Sequence, residues 1–197
     1  EDAEMETIFL RSPASENNDV LVVHGGFDST PEELYFTIGA AAIERGYHAL
    51  IWEGPGQGNL LRRYGRPFTH EWEKPVSVAL DSLTTHCTPG AVIGVGISLG
   101  GHLLARAAAF EKRFDGIVLF DFFPSIIEAF KSQGARAGPE LEWAIANGKW
   151  VFGASSPAEL IGAVQKYDDR PWASQINTNV LLLLGEDEHF FPKDLAY

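Results

Sequence analysis

The sequence holds a single cysteine, Cys87, among its 197 residues. One thiol cannot close an intramolecular disulfide, so packing must hold the chain together, and a reducing compartment is expected. Long apolar runs are missing as well. The longest, Val20 to Val23 and Val180 to Leu184, fall far short of the ~18 residues that a membrane-spanning helix requires. Positive charge is scarce: 15 Lys and Arg against 27 Asp and Glu leave a formal charge of −12, which repels a polyanion and argues against nucleic acid as a partner. The opening Glu1-Asp2-Ala3-Glu4 has neither the basic nor the apolar part of a secretion signal. A soluble cytoplasmic protein, off the membrane, is the expectation.

What the chain does have is a pattern. Short runs of Val, Ile and Leu alternate with longer stretches of helical period, the arrangement that builds a parallel sheet covered by helices. The runs Val20–His24, His48–Trp52, Val92–Ile97, Gly116–Phe120 and Val180–Leu184 are each expected as buried strands, and Thr7–Leu10 as an edge strand. Pro31 to Glu44 is expected as a helix, with Thr30 as its N-cap and two acids in its first turn. Glu71 to His86 and the Ala-rich Leu99 to Lys112 supply two more, with Pro75 confined to a first turn.

Residues 122–175 differ in kind. They are too many for an ordinary crossover, and they carry Trp143, Trp150 and Trp172 among the helical patches Ile126–Lys131, Leu141–Ala146 and Ala158–Tyr167. The expected organisation is therefore a core over 1–121, a helical cap inserted at 122–175, and a return to the core at 176–197. The fold class is α/β, with helices on both faces of a mostly parallel sheet.

Gly96-Ile97-Ser98-Leu99-Gly100 follows one expected strand and opens one expected helix. That is the context in which a G-x-S-x-G turn exposes a serine hydroxyl as a nucleophile. The turn strains the serine backbone, small neighbours let the chain pass closely, and the helix N-terminus aims free N–H groups at the site. The competing reading is a phosphate turn. Gly94, Gly96 and Gly100 miss dinucleotide spacing by one residue, and no Gly-Lys-Ser/Thr exists for a P-loop. Upstream, His24-Gly25-Gly26-Phe27-Asp28 ends a strand, where Gly26 or Phe27 can offer one N–H to a developing oxyanion while Leu99 offers the other. His24 itself reads as a buried organiser of that loop.

With these residues in hand the chain resembles the α/β-hydrolases. More narrowly, Val23-His24-Gly25-Gly26-Phe27-Asp28-Ser29-Thr30, Glu32-Glu33-Leu34-Tyr35 and Trp52-Glu53-Gly54-Pro55-Gly56-Gln57-Gly58 resemble the subgroup of 2,6-dihydroxypseudooxynicotine hydrolase and the fungal polyketide-shortening hydrolases. The resemblance implies hydrolysis, through Ser98, of a carbon–carbon bond beside a carbonyl or of an ester. It also implies a triad in the order serine, acid, histidine. The acid falls in Gly185-Glu186-Asp187-Glu188-His189-Phe190-Phe191-Pro192, where Glu188 matches the usual aspartate and Asp187 is the alternative.

The histidine is where the sequence departs from the pattern. Only His189 follows the acid, and as its immediate neighbour it is badly placed to face it. The family's later strand, helix and histidine have no counterpart before Tyr197. His48, His70 and His86 read as boundary or surface residues, and His102 as a packing or pocket residue. Consecutive Asp187, Glu188 and His189 cannot simply converge on one ion, so neither metal nor cofactor is expected.

The expected pocket lies between cap and elbow, walled by Phe27, Leu99, His102, Phe122, Phe123 and the cap tryptophans, Trp143 above all, and suits an apolar carbonyl substrate. The rival expectation is a non-catalytic protein of the same fold that binds a small molecule or a partner. An uncovered sheet edge would then favour a homo-oligomer.

Overall fold

The computed structural model describes residues 4–132, 138–188 and 191–196. Six strands form one sheet in the order β1-β3-β2-β4-β5-β6: β1 (Thr7–Leu10), β2 (Val20–His24), β3 (His48–Trp52), β4 (Val92–Ile97), β5 (Gly116–Phe120) and β6 (Asn179–Leu183). Only β1 runs antiparallel, pairing Thr7 with Trp52; the other neighbours are parallel, with His24 level with Gly96 and Gly96 level with Leu119. The C-terminal ends of β2, β4 and β5 therefore lie side by side, which is where an open α/β sheet presents its crevice.

The helix after β2 begins as the sequence dictates. Thr30 Oγ1 accepts the Glu33 N–H, Pro31 fills the first position, and α1 (Pro31–Leu34) continues through a π-helical stretch at Tyr35–Gly39 into α2 (Ala40–Glu44). The short α3 (Gly58–Tyr64) was not evident in the sequence, because its start is hidden in a glycine-rich turn. α4 (Glu73–His86) carries Pro75 in its first turn, where an N–H would go unpaired anyway. α5 (Leu99–Phe110) packs its alanines and leucines onto β4 and β5. Leu103 and Leu104 are fully buried there, each worth roughly 1.5–3 kcal/mol of apolar burial. Trp52 and Trp72 stack at 5.6 Å within the same core.

Between β5 and β6 the chain forms α6 (Ile126–Ser132), α7 (Pro139–Val151) and α8 (Pro157–Val164). This segment is tied at its base: Ile126 N–H donates to Tyr167 O, and Asp169 N–H to Pro124 O. It also reaches the core loops, since Phe68 N–H donates to Val151 O at 2.8 Å. β6 departs from expectation. It begins and ends one residue earlier, and instead of being buried it exposes Val180, Leu181 and Leu183. Among the described residues it pairs on one side only, with β5, while Leu182 packs against the core. No helix of the described residues is long and apolar enough to cross a membrane.

Candidate active site

Ser98 joins β4 to α5 with φ 58° and ψ −129°, a left-handed conformation that a residue with a Cβ adopts only under strain. Its N–H is held by Phe120 O at 2.7 Å and its carbonyl by the Gly101 N–H at 2.8 Å. The turn is fixed from both sides, and the serine stands exposed between buried Gly96 and buried Leu99. The flanking glycines are sterically required. A Cβ on Gly96 would lie 2.2 Å from Gly100 O, and one on Gly100 would lie 2.6 Å from Gly25 O.

The same closeness brings the loop after β2 against the start of α5. A Cβ on Gly26 would stand 2.6 Å from Leu99 N and 2.9 Å from Gly100 N. Gly26 donates its own N–H to Ser29 Oγ at 3.1 Å. Of the two loop donors that the sequence left open, Phe27 is thus the one whose N–H no described group takes. Gln57 sits behind the loop, nearly fully buried, with its carboxamide bonded to Gly25 O, Gly26 O and the Gly54 N–H. Sequence reading passed over Gln57 because a polar residue among glycines looks like any turn.

The acid loop follows β6. Glu188 is half-buried and Asp187 exposed, and the Glu188 N–H turns back toward Gly185 O. Asp121, at the end of β5, belongs to the same corner although nothing in the sequence marked it. Its φ is 62°, its N–H donates to Leu183 O at 2.8 Å, and its Oδ1 accepts the Gly185 N–H at 3.2 Å. Burial raises the Asp121 carboxyl above its ordinary range, the Gly185 N–H opposes this, and the Glu188 charge adds to the rise. His189 lies outside the described residues.

The five described histidines are otherwise engaged. His24 is buried against Trp52 and Trp72, with Nδ1 at 3.1 Å from Gly25 O. Burial lowers its pKa to about 4 despite that bond, so the ring is neutral. His48, read as a boundary or surface residue, is the first residue of β3 and is buried, its Nδ1 accepting the Ser12 N–H at 3.0 Å. His86 is exposed and stacks on Phe9, and His70 meets the edge of Tyr167.

His102, one turn into α5, is also buried, at 1 % exposure. Its Nδ1 lies 3.0 Å from Phe123 O and 2.9 Å from Asp169 Oδ2. One imidazole thereby touches both the outgoing and the returning connection of the 122–175 segment. Burial pulls its pKa down, but Asp169 and the Phe123 carbonyl together outweigh this and leave it raised. Asp169 carried no sequence signal, since its partner is 67 positions away along the chain.

Of the expected pocket wall, Phe27 and Trp143 meet edge to face at 5.6 Å. Phe123 stacks on His102 and packs against Phe191, while Phe122 packs on the core. Leu99 is buried. Phe27 borders a cavity of about 40 Å³ that is also lined by Asp28, Gln57, Arg62, Asn147 and Trp150. Trp172 is misplaced in the sequence reading. It packs on Phe110 and Arg106 toward the far end of α5, about 16 Å along the helix from Ser98. Among the described residues no three His, Cys, Asp or Glu side chains cluster as a metal centre requires.

Comparison with known proteins agrees with this fold. The model of the alpha/beta hydrolase family matches residues 20–194. The hydrolase acrC of Aspergillus aculeatus is 33 % identical over 206 residues, covering 88 % of this chain and 48 % of its own length. The 20-hydroxy-prefusarin hydrolase FUS2 of Gibberella moniliformis is 31 % identical over 208 residues, covering 89 % and 49 %. The chain thus spans about half the length of the curated relatives it matches. Among solved structures, that of 2,6-dihydroxy-pseudo-oxynicotine hydrolase superposes with a TM-score of 0.83 at 22 % identity, over 98 % of this chain and 52 % of that one. At that identity the likeness is one of fold.

Proposed function

The chain belongs to the alpha/beta hydrolase family, and from that premise we propose that it is the catalytic core of a serine-dependent hydrolase acting on a carbonyl compound. The observation that supports this most is the strained Ser98 at the end of β4, exposed beside the adjoining Gly26–Phe27 loop and the first N–H groups of α5. Ser98 Oγ attacks the carbonyl carbon while its proton passes to a histidine that is none of the five described ones, oriented by Glu188, with Asp187 the alternative orienter. The N–H groups of Leu99 and Phe27 hold the oxyanion. Collapse of that intermediate expels an alkoxide or an enolate, which takes the proton back. Water then releases the acyl group from the serine.

The substrate class follows the relatives: a ketone whose adjacent carbon–carbon bond is cut, or an ester, of polyketide type. The 122–175 segment serves as a cap whose Trp143 meets Phe27 over the entrance, and no cofactor takes part. The protein works in the cytoplasm. The test is turnover of short acyl esters and β-diketones by the natural polypeptide. Ser98→Ala should reduce kcat by about 10⁴-fold or more, with hydrolysis products retaining one water per bond cut. Turnover unchanged in Ser98→Ala would overturn the proposal and favour a binding protein of the same fold.

A further inference from the structure

We propose that Gln57 is the positioning residue of the oxyanion loop, a role that rests on the reading of Ser98 and Phe27 given above. Gln57 stands at the position before α3 where a side chain ordinarily caps its own helix, yet it makes no such bond. The space at that helix start is taken by Glu53, whose carboxylate occupies the volume a side chain on Gly58 would need. The Gln57 carboxamide turns the other way. Its Oε1 accepts the Gly54 N–H at 2.9 Å, and its Nε2 donates to Gly25 O at 2.7 Å and to Gly26 O at 2.9 Å. Two carbonyls and one N–H admit only one orientation of the amide, so the network itself assigns oxygen and nitrogen.

A trans peptide points its N–H opposite to the preceding carbonyl, and no peptide bond among the described residues is cis. Holding Gly26 O toward Gln57 therefore holds the Phe27 N–H away from it, free of any described partner. The Gly26 N–H is separately engaged by Ser29 Oγ. Both peptides of the loop are thus fixed before substrate arrives, one by Gln57, His24 and Ser29 together and the other by Gln57 alone. Gln57 is buried to 5 % exposure, so its carboxamide rather than bulk solvent holds the loop. Preset donors of this kind lower a barrier because they need no reorganisation during reaction.

The role is tested on the natural polypeptide in two arms. The first needs no turnover: the Gln57 Nε2 protons, followed by NMR, should exchange with solvent far more slowly than those of exposed glutamines. Rapid exchange would refute the clamp. In the second arm, Gln57→Met and Gln57→Glu remove the donors at nearly constant size. The expected result is a kcat about 10- to 100-fold lower with KM little changed, a lower melting temperature because buried loop groups lose their partner, and faster amide exchange over residues 25–28. Normal kcat in either folded variant overturns the positioning role alone. Protected Gln57 protons in a wild-type protein that shows no Ser98-dependent reaction overturn the nucleophile reading, and the positioning role with it.

Discussion

Gly26 meets the first residue of the elbow helix so closely that a Cβ on it would stand 2.6 Å from Leu99 N. The loop after β2 and the start of α5 are thereby pressed into one surface, and what lies there is backbone rather than a side chain that could swing aside.

Gly26→Ala should therefore force the two elements apart. Overpacking of this kind costs about 1–3 kcal/mol, read as a lower urea midpoint. Serine reactivity should fall by about 100-fold or more, because a displacement of ~1 Å is enough to spoil such a site. A Gly26→Ala protein with normal reactivity would place the oxyanion donors elsewhere.

Ser98 has φ 58°, a conformation glycine accepts freely and other residues adopt at a cost of about 1–3 kcal/mol. Ser98→Gly should then raise the unfolding free energy by about 1 kcal/mol after allowing for the greater freedom of glycine in the unfolded chain. Ser98→Ala, which keeps the Cβ, should leave stability within about 0.5 kcal/mol of wild type. Equal stabilities for the glycine and alanine variants would mean that the elbow stores no strain.

His102 and Asp169 make stability depend on pH in a defined direction. The pKa of His102 is raised in the folded protein. Its contribution is thus fully present below the unfolded value of about 6.5 and is lost as pH rises through the folded value. His24 acts in the opposite sense, since its pKa falls to about 4 and its contribution is lost as pH drops from about 6.5 toward 4. Comparing wild type with Asp169→Asn cancels the His24 part. The stability difference between the two proteins should be largest near pH 6 and shrink toward alkaline pH. A difference that does not vary with pH would show that the pair carries no charge.

Much of this architecture was legible beforehand because it is local. The runs of β2 to β5 coincide with their apolar stretches, and the elbow is written in five consecutive residues that need particular backbone angles. What escaped is what depends on the third dimension. Gln57 looks like turn filler until the Gly25 and Gly26 carbonyls arrive from the loop after β2. Asp169 acquires meaning only when α5 carries His102 beneath it, and Asp121 only when β6 brings Gly185 within reach of its carboxylate. β6 illustrates the converse: Val180, Leu181 and Leu183 have the composition of a buried strand, but burial is set by neighbours, and among the described residues pairing with β5 alone leaves them exposed. Trp172 was assigned by residue type to a wall that lies at the other end of α5.

The claim on which the account turns is that Ser98 is an activated nucleophile. Intact-mass analysis of the natural polypeptide after exposure to a fluorophosphonate, run beside Ser98→Ala, tests it most directly. The account predicts one adduct per chain, mapped to Ser98 and absent from the variant. A folded protein that takes up no label, or one labelled equally with and without the Ser98 hydroxyl, would contradict it.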